Sequence, residues 1–246
     1  MGIMLINSTG IILRSVKYSE TSLILDIYTR DLGLKTYIVN GARKKNSSLG
    51  AGMLQVSNVV DIVAYNKENT KINRIKEVRL SKIFNKLSFD IHRFSIALLI
   101  LEIFHKSVKD LVANAKLFDF LLNVLLFIDK REIPPKNLHI AVICELSKFL
   151  GFAPENNYTE SFCFFDMREG RFTDFKPLHE DYFDEHESRY LNNVLINDFN
   201  QTELLTIPRS VKHVLLEKLI TFYKIHLTDF GKIKTYDVFK NIFSSQ

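Results

Sequence analysis

Along the first 80 residues, hydrophobic and polar positions alternate in short runs, each closed by turn-forming residues. Residues 10–16 place Ile11 and Leu13 on one face and Ile12 and Arg14 on the other, the period of two that a strand requires. Residues 22–29 repeat the pattern and lead to a turn at 30–33, where Gly33 can take positive φ. Residues 35–40 make a third run. After a Gly/Ser-rich loop, residues 54–65 are β-branched and free of proline. The polar turn 66–70 opens a fifth run, 71–80, in which Ile72, Arg74, Lys76 and Val78 share one parity. Beyond residue 80 the period changes. Ile91, Phe94, Leu98, Leu101 and Val108 recur at helical spacing, as do Leu117, Leu121, Val124, Leu125 and Ile128. Pro134 and Pro135 suit the first turn of a helix ending near Leu150, and Pro208 that of a helix over 208–227 with the stripe Val211, Leu215, Leu219 and Phe222. Between them, residues 161–175 alternate on either side of Arg168-Glu169-Gly170, the pattern of a β-hairpin.

These patterns predict an α+β chain. Five short strands in residues 1–80 suit a closed OB-type barrel, because closure removes exposed strand edges. Residues 81–246 predict a helical domain carrying the hairpin at about 161–175. Composition sharpens the boundary. All 20 Phe follow residue 80, and 6 of the 9 Gly lie in the first 52 residues. Residues 1–80 carry 12 Lys and Arg against 6 Asp and Glu, a net of +6. The remainder is near neutral, so the overall +5 belongs to the strand region. An asymmetry of this kind points to a polyanionic partner for one part of the chain.

Candidate chemistry is sparse. Cys144 and Cys163 cannot form a disulfide framework, which suits a reducing cytoplasm, and their spacing from His179 and His186 matches no zinc pattern. No nucleophile elbow, phosphate loop or dinucleotide fingerprint occurs, and the acidic run at 180–187 suits a solvated face. No stretch reaches the length of a membrane span, and Ile6 stands where a myristoylation signal needs Ser or Thr. The chain is therefore expected not to be an enzyme. What remains is the basic loop Arg43, Lys44 and Lys45, set among Gly and Ser that let a backbone approach phosphate. Arg14, Lys17, Lys35, Arg74, Lys76 and Arg79 lie on neighbouring strands. Converging cations of this kind bind nucleic acid by counterion release. Tyr18, Tyr28, Tyr37 and Tyr65 either stack on bases or sit half in the barrel core, and their strand positions favour the core.

Residues 9–14 (TGIILR), Tyr18, Glu20, 29–33 (TRDLG) and 41–55 (GARKKNSSLGAGMLQ) resemble the N-terminal domain of the RecO family of bacterial DNA-repair proteins. Residues 149–154 (FLGFAP), 169–172 (EGRF), Arg209 and 222–243 resemble its helical domain. The resemblance implies an OB-fold followed by a helical domain, and a recombination mediator located in the cytoplasm with the nucleoid. It implies binding and annealing of single- and double-stranded DNA. It also implies action with RecR, and in many bacteria RecF, to load RecA on gapped DNA covered by the single-stranded-DNA-binding protein. It carries DNA contact onto Arg43, Lys44 and Lys45. It further implies an apolar pocket beside a Lys or Arg that takes the acidic, Phe-ending tail of the single-stranded-DNA-binding protein. Many members carry a four-cysteine zinc element around the hairpin. Here only Cys163 could correspond to a ligand, so no zinc is expected and Phe162, Phe164, Phe165 and Phe172 are expected to pack the hairpin. The competing expectation is a scaffold whose basic barrel binds an acidic protein. A nucleic-acid hydrolase ranks third, for want of a metal or nucleophile set.

Overall fold

The computed structural model describes residues 4–43, 51–66, 70–108 and 112–244. Five strands, β1 (Met4–Lys17), β2 (Leu23–Thr29), β3 (Gly33–Val39), β4 (Val59–Asn66) and β5 (Ile72–Lys82), close into a barrel in the order β1-β2-β3-β5-β4. Neighbours are antiparallel except β3 and β5, which run parallel. Ile12, Leu25, Ile27, Tyr37, Val60 and Ile62 fill the interior. Gly33 does take positive φ, 66°, where the chain turns from β2 into β3.

Two strands begin elsewhere than the pattern predicts. β1 starts at Met4, six residues before Gly10, and β4 starts only at Val59, after a 3-10 turn over Ala51–Leu54. The expected parities also break. Pairing along β1 shifts between Ile12 and Arg14, so Ile11, Ile12 and Leu13 are all buried. Ile12 fills the barrel, whereas Ile11 lies in register with Tyr28 and Val59 on the outside, and all three are fully covered. Asn114, just before α2 in the same unit, lies against the Tyr28 hydroxyl. In β5 the pairing shifts beside Lys76, so Val78 turns inward while Ile72, Arg74 and Lys76 stay exposed.

The helices are α1 (Ile91–Ser107), α2 (Ala115–Lys130), α3 (Leu138–Leu150), α4 (Glu185–Leu195), α5 (Arg209–His226) and α6 (Thr235–Ser244). The chain divides into two compact units. The first joins residues 1–101 with 108–130, and the second joins 102–107 with 131–246. In the first, the Asp129 carboxylate at the end of α2 accepts from the backbone N–H groups of Asn85, Lys86 and Leu87, and Arg93 Nη1 donates to the Ile128 carbonyl. Burial opposes ionisation of Asp129, but these donors and the Arg93 charge outweigh it and hold the carboxyl below its usual range.

In the second unit, β6 (Phe164–Asp166) and β7 (Arg171–Thr173) form the expected hairpin, with Gly170 at φ 70° in its turn. A third strand, β8 (Tyr182–Phe183), extends it to the order β7-β6-β8. Phe165 packs edge-on against Phe172, Phe183 and Phe222. Phe162, assigned to this packing from sequence, is exposed instead, because it precedes β6 and faces away from the sheet's core. The acidic run at 180–187 does more than solvate a face. Asp184 and Glu187 form a reciprocal capping box that starts α4. Among the described residues, no helix is long and apolar enough to cross a membrane.

Candidate nucleic-acid interface

On the outer barrel wall, one hydrogen-bonded row runs Val16, Ile24, Ile38, Arg74, Tyr65 and Leu5. The row beside it holds Arg14, Asp26, Thr36 and Ile72. Inward neighbours such as Leu25, Tyr37 and Ile75 point these side chains outward. Arg74 is exposed, and no carboxylate among the described residues lies within ion-pair distance of it. Around it are partly exposed apolar and aromatic groups, namely Tyr65, Leu5 and Ile72, the last two 50% and 46% exposed. Tyr18, in the loop joining β1 and β2, is 64% exposed. A guanidinium beside an accessible tyrosine ring can hold a phosphate while a base stacks on the ring.

Arg14 reaches across the strands to Asp26 at 3.2 Å, and Thr36 Oγ1 donates to the same carboxylate at 2.7 Å. Asp26 is nearly buried, whereas the Arg14 side chain stays half exposed. Lys17 ends β1 at the rim. Arg43 follows β3 through Gly41, which takes φ 70°, and its N–H donates to the Thr21 carbonyl. Its Nη1 also donates to the Ser19 carbonyl, so Arg43 is held against the β1–β2 connection. Lys44 and Lys45 lie outside the described residues.

The other three candidates are set apart. Lys35 is in register with Ile27, an interior residue, so it shares the inward parity rather than the outer row. Lys76 contacts Glu77 at 3.5 Å. Arg79 is paired with Asp61 at 3.4 Å, roughly 16 Å along β5 from Arg74. Its side of the barrel is a cleft of about 680 Å³ in which Asp31, Asp61 and Glu77 outnumber Arg30 and Arg79. Ser8 donates to Asp31 and Thr9 to Asp61. The Thr9 hydrogen bond, helped by Ser81 and Arg79, holds the Asp61 carboxyl below its usual range. The seven of these cations that lie among the described residues therefore do not form one groove.

Of the four tyrosines, Tyr28 and Tyr37 are core residues and Tyr18 and Tyr65 are accessible. Burial pushes the Tyr37 hydroxyl up to about 12. Sequence reasoning missed Asp26 and Asp61 as partners of the cations, and Leu5 as part of the outer row. Cross-strand register was the missing signal, since each carboxylate is directly opposite its arginine.

Cys144 is buried and Cys163 partly exposed. Burial pushes the Cys144 thiol up to about 12, and burial and Glu185 raise that of Cys163. Among the described residues, no three His, Cys, Asp or Glu side chains are placed to share a metal ion.

A closed five-stranded Greek-key barrel followed by helices makes this an OB-fold protein of the α+β class. The family model for the N-terminal region of recombination protein O matches residues 4–84, and that for its C-terminal region matches residues 88–235. The DNA repair protein RecO of Flavobacterium psychrophilum is 31% identical over 242 residues, covering 98% of this chain and 100% of that protein. Those of Phocaeicola vulgatus and Porphyromonas gingivalis are 29% and 27% identical over the same shares. The chain belongs to the RecO family of DNA-repair and recombination proteins.

Proposed function

We propose that the protein is a non-catalytic recombination mediator that binds single- and double-stranded DNA on its barrel and anneals complementary strands. It acts with RecR to load RecA on gapped single-stranded DNA. The observation carrying this reading is the outer row in which Arg74, without an ion-pair partner among the described residues, stands between Tyr65 and Ile38, with Arg14 three strands away in the adjoining row. Cations neutralise the phosphates of two strands and lower their repulsion, and the accessible rings of Tyr65 and Tyr18 accept bases without reading an edge. Residues 1–80 are the DNA-binding domain and 81–246 the helical domain in this reading, with the protein in the cytoplasm at the nucleoid. The hairpin holds without zinc, on the Phe165 cluster.

For the acidic, Phe-ending tail of the single-stranded-DNA-binding protein we assign a hollow of about 320 Å³ in the second unit. Ile220 and Ile233 give it an apolar lining, and Lys224 and Lys232 supply charge. Glu217, also in its wall, is engaged by Tyr236 and Lys240.

The test is the triple variant Arg43→Glu, Lys44→Glu, Lys45→Glu in a fluorescence-anisotropy titration with a labelled oligonucleotide. Binding should be lost while the thermal transition is kept. Equal affinity of variant and parent would overturn the reading.

A further inference from the structure

In the second unit, α3 and α5 begin side by side. The Asn137 carboxamide, just before α3, donates to the carbonyl of Leu205, three residues before Pro208. Four basic side chains gather there: Lys136 before α3, and Arg209, Lys212 and His213 at the start of α5. Burial and then the charges of Lys136 and Arg209 push the Lys212 ammonium below its usual range. Burial, Arg209, Lys240 and Lys212 do the same to His213, against which only Glu217 works. Among the described residues, no carboxylate is within ion-pair distance of Lys136, Arg209 or Lys212.

Neither helix start is closed. Each lacks a side-chain cap and an acidic residue in its first turn, unlike α4 with its Asp184 capping box. Beneath them lies His139, 1% exposed, kept neutral by burial and then by the charges of Lys212 and His213, with no hydrogen-bond partner for either ring nitrogen among the described residues. Asn137 Oδ1 is buried and unpartnered too. Uncompensated cations, two positive helix ends and orphaned polar atoms each cost folding free energy. A bound anion relieves the first two directly.

We infer that the paired starts of α3 and α5 form a phosphate-binding site that takes the backbone of a second DNA strand. The inference rests on the reading that the barrel holds a first strand, and it supplies the second anchor that annealing needs. Three uncompensated cations match a row of phosphates better than a single carboxylate.

The experiment captures a second strand. Full-length protein is bound to an immobilised oligonucleotide, and a labelled, non-complementary oligonucleotide is then added, so that no base pairing contributes. The double variant Lys136→Glu, Arg209→Glu changes two exposed residues and should fold. It should keep first-strand affinity by anisotropy and lose second-strand capture by about tenfold or more. Capture equal to the parent's would overturn the inference. A second readout follows the His213 ring by NMR in the Arg74→Glu background, where barrel binding is weakened. Oligonucleotide should shift the ring signal and raise its pKa. An unmoved signal overturns the site even if barrel binding is intact. A response to inorganic phosphate or polyglutamate but not to oligonucleotide overturns the assignment to DNA. Failure of Arg74→Glu to weaken first-strand binding would instead count against the barrel reading.

Discussion

His139 is held neutral down to a pKa of about 3, from an ordinary value of 6.5, mainly by burial and then by the charges of Lys212 and His213. Its ring packs edge-on against Phe239 at 4.8 Å. In the unfolded chain the same imidazole takes a proton once the pH drops below its ordinary value. The unfolded state then binds more protons than the folded state, so stability falls with pH, by up to about 1.4 kcal/mol per unit. The variant His139→Leu should flatten this dependence between neutral pH and the acid range. Urea midpoints at a series of pH values check it, and parallel curves for the two proteins would refute the assignment. A sequence shows this histidine on a helical period but not that it is buried beside Lys212 and His213, since those arrive from α5. Gly10 is a similar case at this scale. A Cβ there would stand 2.4 Å from the Ile27 side chain, so the glycine serves close packing of β1 on β2 rather than a turn.

At the scale of elements, strands and helices were legible wherever one face meets the core and the other meets water. α2 and α5 match their apolar stripes closely for that reason. β1 and β5 do not keep a clean alternation, because each carries a register shift and β1 is covered on both sides in its middle. α4 was hidden because its start is acidic, and its apolar residues Leu191 and Val194 are few. The segment following β5 has no periodic signal at all. It is fixed by Asp129, whose carboxylate is the acceptor for three consecutive N–H groups. The variant Asp129→Asn keeps the shape but turns donors toward donors. It should cost about 2–3 kcal/mol, the range for leaving buried N–H groups unpaired near a lost charge. The wild-type carboxyl is held below its usual value, so its contribution is present at neutral pH and is lost as the pH falls through that lowered value. Chemical denaturation at neutral pH checks the loss. A difference inside experimental scatter would show that the N–H groups find other partners.

At the scale of the whole molecule, the excess of +6 in residues 1–80 is spread unevenly over the barrel wall. Arg14 and Arg79 each oppose a carboxylate, and Arg79 borders a cleft with more acids than bases. Among the described residues, Arg74 has no carboxylate within ion-pair distance and stands among Tyr65, Leu5 and Ile72. Counting lysines and arginines in the sequence gave all of them equal standing, because the carboxylate opposite each becomes known only with the strand register. This difference makes a ranked prediction. Arg74→Glu should reduce oligonucleotide affinity by about tenfold and make the log–log salt slope shallower by about 0.7, the value of one neutralised phosphate on a single strand. Arg79→Glu should change both much less, since Asp61 already cancels most of that charge. Anisotropy titrations of both variants across a salt series decide it. Equal losses would mean that strand order does not select the binding wall and that net charge alone drives association. A larger loss at Arg79 would move the DNA to the cleft beside Asp61.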